Sequence, residues 1–431
     1  MKFWKFIPIV ALALLSSCKD SLTIDDLENR TVASGYYNSS QRVEQAVIGG
    51  YVNLRRALLA NYAWVMYGEV RTGDLNVAVN YQQAVASQQL TADQRNVKQL
   101  TDWEYFYDVI KDANDVLDIV NKADAGVLNT YERNLFKGEA LALKSMAYFY
   151  LARIWGEIPS AEKNNFGSRL TIQESVTQAA VWASEAQGLL PWRLINDDGI
   201  ESFALTGVRF NKTAISTLLA QEELWLGKSQ NAYDMLNKTF TVATLDSLSN
   251  FGLSVGVDRR TEIPKLPLDE SIVSMSLDRF NEIYPVGDGR RQSMFNVSTS
   301  DKKATLIIQD DDILQLLPAR ELNLLFAEAA WRSGNLSEGK TYLIKAAAGA
   351  TEDYTTLTEA TFPDALLQER RRMLVGGGQR VFDLIRFGKV STYIPVFTES
   401  DVQKGAAYWP LSANSLKNNS LSQNSYWLSK N

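Results

Sequence analysis

Long stretches of this chain repeat apolar residues at i, i+3, i+4 and i+7, a spacing that turns one face of an α-helix towards a core and leaves the other to water. The pattern predicts helices over 41–60 (Val43, Ala46, Val47, Tyr51, Leu54), about 100–120 (Trp103, Phe106, Tyr107, Ile110, Leu117) and about 131–155 (Leu135, Leu141, Ala142, Met146, Phe149). It continues over 172–189, 212–226, 230–238, 320–333 and 336–348. Pro159 marks the stop of the third helix, Gly227 closes 212–226 and Gly334 closes 320–333. A helix must bury its apolar stripe against another element, so alternating helix, tight turn and helix restricts the chain to stacked helical hairpins. Only 10 prolines and 25 glycines in 431 residues agree with this, because both interrupt helix interiors.

Gly156, Gly227 and Gly334 are separated by 71 and 107 residues. These are two and three multiples of about 35–36, close to the tetratricopeptide period of about 34. Trp225-Leu226-Gly227 and Trp331-Arg332-Ser333-Gly334-Asn335 fit the end of the first helix of such a repeat. The expected fold is mainly α, a tetratricopeptide-like scaffold of helical pairs with loop-rich insertions near 62–95, 240–310 and 350–365, where helical patterning is lost. Tyr62–Gln89 reads as a long aromatic and polar loop with short pieces of structure, and Ser274–Leu277 with Leu306–Ile308 as short strands. Helical repeats commonly build binding surfaces, and function commonly resides on loops carried by a rigid scaffold.

Composition removes several functional classes. Lys and Arg total 44 against 50 Asp and Glu, a net charge of −6, which argues against a nucleic-acid partner. The absence of histidine rules out Ser-His-Asp and Cys-His catalysis and histidine-ligated metal sites. A single cysteine, Cys18, leaves no intrachain disulfide, Cys-x-x-Cys centre or thiolate zinc site. That cysteine follows Lys2, Lys5, an apolar run from Phe6 to Leu15, and Ser16-Ser17. The ten-residue run is too short to span a bilayer, which takes about 20. Residues 1–17 therefore read as a signal peptide. Leu15-Ser16-Ser17-Cys18 is similar to the bacterial lipobox, in which the cysteine is acylated and becomes the first mature residue. Acyl chains anchor a protein stably at roughly 0.8 kcal/mol per buried methylene. Residues 18–40 are expected to be a lipidated tether, 41–431 a single body, and the membrane contact to be the lipid anchor alone.

Four blocks then converge. Trp103-Glu104-Tyr105-Phe106-Tyr107 through Ala113-Asn114 is the first. Gly138-Glu139-Ala140 through Tyr148-Phe149 and Gly156-Glu157-Ile158-Pro159 is the second, and the most specific. The third is Glu321-Leu322 with Ala327-Glu328-Ala329, and the fourth Glu369-Arg370-Arg371 through Gly378-Gln379-Arg380, Asp383-Leu384, Arg386 and Gly388. In this order the chain resembles the SusD/RagB outer-membrane lipoproteins. Ala142 and Lys144 stand where that family usually has Phe and Arg, and Met373 and Gly377 where it usually has glutamates. The resemblance implies about four tetratricopeptide-like helix pairs and a loop-rich face. It also implies a place on the outer-membrane surface as a lid over a SusC-like TonB-dependent transporter, capturing nutrient, usually glycan, without catalysis or cofactor.

Other chemistries fit less well. Gly376-Gly377-Gly378 lacks the Lys-Ser/Thr of a P-loop and reads as a tight turn. Neither Asp310-Asp311-Asp312 nor Glu222-Glu223 defines the separated acid pair of a glycosidase. Arg370-Arg371-Arg372, Arg380, Asp383 and Arg386 read as packing and ion-pair residues, and Trp103, Trp155 and Trp225 as core. Sugar recognition needs an aromatic platform beside groups that donate and accept hydrogen bonds. Trp64, Tyr67, Arg71, Asp74, Asn76, Asn80 and Tyr81 form one candidate ligand-binding group, and Tyr284, Asp288, Arg290, Arg291, Arg259 and Arg260 another. No metal site is assigned. A cell-surface glycan-binding lipoprotein is the expected function, with a tetratricopeptide-type scaffold for peptides or proteins as the alternative and a glycoside hydrolase as the weakest reading.

Overall fold

The computed structural model describes residues 36–162, 165–240, 253–256, 273–307, 313–417 and 421–430. Residues 1–17, Cys18, most of the expected tether, Arg259, Arg260 and Asp310–Asp312 lie outside the described residues.

The longer helices are α1 (Ser40–Leu59), α2 (Glu104–Lys122), α3 (Thr130–Trp155), α4 (Ile172–Leu189), α5 (Lys212–Trp225), α6 (Ser229–Thr239), α7 (Glu321–Arg332), α8 (Leu336–Ala346), α9 (Phe362–Met373) and α10 (Arg380–Arg386). From α1 to α8 each helix packs on the next, so the chain stacks four successive pairs. This is the tetratricopeptide-like architecture that the periodicity predicts.

Local chemistry sets the ends. Asn129 and Glu132 form a reciprocal capping box at the start of α3, with N–H to oxygen distances of 2.9 and 2.8 Å, and Thr171 and Glu174 do the same for α4. Gly156, Gly227 and Gly334 take φ of 85°, 70° and 86° at helix ends, a conformation that suits glycine. Helix α3 is buried on almost every side, and Gly138 lets α4 approach: a Cβ there would meet Leu190 at 2.9 Å.

Short sheets interrupt the helical stack. Strands β1 (Ile158–Glu162) and β2 (Asn165–Leu170) form an antiparallel hairpin between α3 and α4, with Ile158 opposite Leu170. Pro159, expected only to stop α3, lies within β1. β3 (Leu253–Gly256) pairs with β7 (Ile313–Leu317), and β4 (Ser274–Ser276), β6 (Lys303–Leu306) and β5 (Phe295–Ser298) form a second sheet. Ser274 lies opposite Thr305, so the strands expected near 274 and 306 do pair, the second beginning earlier than predicted.

The stretch at 62–95 departs from expectation. Ala63–Gly68 is helical, and Tyr62 through Val70 are all buried in the main apolar core. A segment with no wet face shows no amphipathic period, which is why the sequence reads there as a loop. This segment also ties the chain's start to its end. Trp64 Nε1 donates to the Gly376 carbonyl at 3.0 Å, and Arg71 donates to the Ala407 and Ala406 carbonyls at 2.5 and 2.8 Å. Asp74 accepts from Arg371 Nε at 2.8 Å.

A buried ionic layer underlies α7, α9 and α10, where Arg370 pairs with Glu321 at 2.6 Å and Asp383 at 2.9 Å, and Arg386 with Asp383 and Glu328. The structural reading of those arginines holds, as does the burial of Trp103 and Trp155, while Trp225 is half-buried. Among the described residues no helix is long and apolar enough to cross a membrane.

Candidate functional site

The first predicted ligand group is largely sealed. Trp64 and Tyr67 are buried, and the Tyr67 ring packs 5.5 Å from Trp155 and 5.1 Å from Trp409 while its hydroxyl donates to the Leu100 carbonyl. Burial raises the Tyr67 phenol above its ordinary range. Arg71 and Asp74 spend their polar atoms on the internal contacts above, and burial draws the Arg71 guanidinium down to about 9. Asn76 is half-buried against Ser274. Asn80 is exposed, and Tyr81, like Asn76, is half-buried. The correction has a physical cause: aromatic and charged residues here close the core instead of displaying a platform.

The second group is sealed more tightly. Tyr284, Asp288 and Arg290 are buried, and the Tyr284 hydroxyl donates to the Arg372 carbonyl at 2.8 Å. Arg290 donates to both Asp288 oxygens and, at 2.6 Å, to Glu369, which also accepts from Tyr354 and Arg372. These residues lock the central insertion onto α9 and do not line a cleft. Glu222, weighed as a glycosidase acid, is likewise buried and bonded to Ser145. Gly376–Gly378 does form an anion cradle, but the chain fills it. The N–H groups of Gly376 and Gly378 donate to the two Glu69 oxygens at 2.9 and 3.0 Å.

What the first insertion does expose is a small cleft beside Tyr81. It holds about 180 Å³ and lies where the end of α1 meets the approach to α2, with Asn61, Gln99, Asp102 and Tyr105 at its polar walls and Ala57, Tyr67 and Phe106 beneath. Asn61 and Tyr62 follow α1 with φ of 54° and 55°. Asparagine tolerates this region; a bulky tyrosine there is strained, and such strain clusters at ligand sites. The turn is fixed by side chains, because Asn61 Nδ2 donates to Gln99 Oε1 at 3.0 Å and Asn96 Nδ2 donates to Asn61 Oδ1 at 2.7 Å. Tyr81 reaches over the same turn, its hydroxyl 3.5 Å from the Asn61 carbonyl. Asp102 caps α2 by accepting from the Glu104 N–H at 3.1 Å. Tyr105 is half-buried with the Arg56 guanidinium 4.8 Å from its ring centre. Amides, a carboxylate and an aromatic ring thus share one opening, the donor and acceptor mixture that a polyhydroxyl ligand requires. Sequence reading missed Asn61, Gln99, Asp102 and Tyr105 because they are scattered over two helix ends without a spacing motif. Among the described residues no cluster of three or more His, Cys, Asp or Glu is arranged to hold a metal ion.

The fold is a stack of helical pairs that carries a small polar cleft beside its first insertion. Residues 28–222 match the SusD-like family model described as starch-binding associating with outer membrane. A SusD-like protein of Bacteroides ovatus is 31% identical over 169 residues, a stretch covering 37% of this chain and 29% of that relative's own length. A solved SusD superfamily protein from Bacteroides thetaiotaomicron superposes with a TM-score of 0.74 at 22% identity, covering 91% of this chain and 99% of the other. A solved laminarin binding SusD-like protein superposes with a TM-score of 0.64 at 17% identity, covering 90% and 99%. The N-terminal half of the chain is thus similar to the SusD-like family, and the body as a whole shares the fold of the solved SusD superfamily proteins.

Proposed function

We propose that this protein is a non-catalytic carbohydrate-binding lipoprotein of the outer-membrane surface, anchored through Cys18, that captures glycan for a SusC-like TonB-dependent transporter. The observation that carries the binding site is the Asn61–Gln99–Asp102–Tyr105 cleft, where a strained turn is held in place by side-chain amides. Support for the ligand class comes from the starch-binding description of the family model and from the laminarin-binding relative. The lipobox at Leu15–Cys18 supports the anchor.

The test is binding of the purified protein to an array of polysaccharides and glycoprotein glycans, followed by calorimetry on each hit. Tyr105→Ala and Gln99→Ala are expected to weaken a hit about tenfold or more, the loss of a stacking face or of polar partners, with no change in thermal stability. A hit indifferent to both variants would move the site elsewhere, and no hit on any glycan would overturn the carbohydrate reading. Cys18→Ala should release the protein from membranes; retention in the outer membrane would sink the lipid anchor.

A further inference from the structure

A second, larger opening lies away from this cleft, in the groove between α3, α4 and the β1–β2 hairpin. It holds about 500 Å³, enough for one or two sugar rings on the scale of small-molecule sites. Trp182 of α4 and Tyr148 of α3 form its aromatic wall, their rings 4.9 Å apart and inclined at 73°. The Tyr148 hydroxyl is fixed by the Ala161 N–H at 2.8 Å. Ser160, Thr177 and Gln178 supply hydroxyl and amide groups at the edges.

Lys144 is the unusual member of this groove. Its ammonium lies 4.1 Å from the centre of the Trp182 ring and is half-buried, yet it makes no ion pair with any described carboxylate. The nearby acids are engaged elsewhere: Glu174 caps α4 with Thr171, and Glu185 pairs with Lys137 at 2.7 Å. Arg209, Arg290 and Arg370, buried elsewhere, have carboxylate partners, and the buried Arg71, Arg153 and Arg380 donate to carbonyl or amide oxygens, whereas among the described residues Lys144 has the Trp182 ring alone. Removing a cation from water without an anionic partner costs free energy, and contact with one ring offsets only part of that cost. Desolvation accordingly lowers the Lys144 ammonium to about 8. An anion seated in the groove would remove the mismatch.

We infer that the groove at Lys144, Tyr148 and Trp182 is a second saccharide subsite, selective for an anionic sugar whose carboxylate or sulfate pairs with Lys144 while its ring lies against the aromatic wall. The inference rests on the glycan-binding reading, but uses none of the residues of the first cleft.

Calorimetry with the full chain decides it, using three probes of equal length: a galacturonate trisaccharide, a sulfated galactose trisaccharide and a neutral galactose trisaccharide. At least tenfold tighter binding of one anionic probe over the neutral one is expected, and which anionic probe binds identifies carboxylate or sulfate. Lys144→Met should abolish that preference, Lys144→Arg should retain it, and Trp182→Ala should weaken all binding at the groove. The arginine variant keeps the test open should the methionine variant fold poorly. Equal affinity for the three probes, a preference that survives Lys144→Met, or a preference lost in Tyr105→Ala instead would overturn the second subsite. A chain that binds neutral glycans through Tyr105 while showing no anionic preference keeps the glycan reading and loses this inference. A chain that binds no saccharide at all loses both.

Discussion

Gly68 and Gly378 meet backbone to backbone, 310 positions apart in the sequence, closely enough that a Cβ on Gly68 would fall 1.6 Å from the Gly378 carbonyl oxygen. The reverse is as tight, since a Cβ on Gly378 would lie 2.2 Å from the Trp64 carbonyl oxygen, and Gly378 has a φ of 69°. This contact allows the Gly376–Gly378 turn to reach Glu69. Neither partner can yield, because both obstacles are main chain. Gly68→Ala and Gly378→Ala are each expected to cost about 3 kcal/mol or more, measured by urea denaturation. A loss below about 1 kcal/mol in both would show that the two segments are not held together as described.

Glu222 gives a pH signature. Its carboxyl is buried and bonded to Ser145 at 2.6 Å, and burial raises it from 4.5 to about 8. The folded state therefore keeps this proton across a range where the unfolded chain has lost it. The stabilisation is full below pH 4.5, declines as pH rises, and is gone above about 8. Glu222→Gln is close in shape and does not titrate, so wild type should lose a few kcal/mol relative to the variant between acidic and alkaline buffer. Glu69, raised by burial to about 7, contributes a second slope that both proteins share. Denaturation curves at three pH values spanning this range measure the difference; parallel profiles would refute a buried, protonated Glu222.

Arg370 holds two acids of the ionic layer, Glu321 at 2.6 Å and Asp383 at 2.9 Å, with all three side chains nearly inaccessible. Arg370→Met removes the cation and leaves both carboxylates in a dry interior. The expected cost is about 3–5 kcal/mol. Adding Glu321→Gln should recover part of it, and a double mutant no better than the single would separate these residues energetically.

Trp64 and Tyr105 separate folding from binding. Trp64→Ala is expected to lose about 3–5 kcal/mol of stability, since the ring is buried and its N–H is bonded to Gly376. Ligand affinity of the molecules that remain folded should change little. Tyr105→Ala should do the opposite. Reversal of this pattern in thermal melts and calorimetry would restore the aromatic loop as the platform.

Most of the stacked helices are legible because they keep a wet face, as in α2, where Phe106, Val109, Ile110, Ala113 and Val116 are buried and Glu104 and Lys111 are exposed; α3, buried on almost every side, is legible from its long apolar run ahead of Pro159. Helix positions follow from that contrast. Trp64–Gly68 lacks it, being buried all round, and so its sequence reads as part of a loop. The arginine cluster is legible because its motif places charged residues among apolar ones, which requires partners. The candidate cleft was not legible. Asn61 is set by a strained turn, Gln99 and Tyr105 come from separate helices, and nothing in their spacing announces that tertiary packing will gather them. The β1–β2 hairpin was hidden for a related reason: its pairing depends on cover from α2, α3 and α4 and not on an alternating pattern of its own.

Glu69, Arg71 and Asp74 each have partners beyond residue 370, although Arg71 also bonds Gln88 and Asp74 also lies beside Arg279. A chain made from its N-terminus onward cannot complete these contacts until about the last seventh of its length is present. The helical pairs can assemble in order as they appear, but the seam between beginning and end closes last. Completion of the fold is then timed by the tail, whose arrival ties the two ends of the chain together.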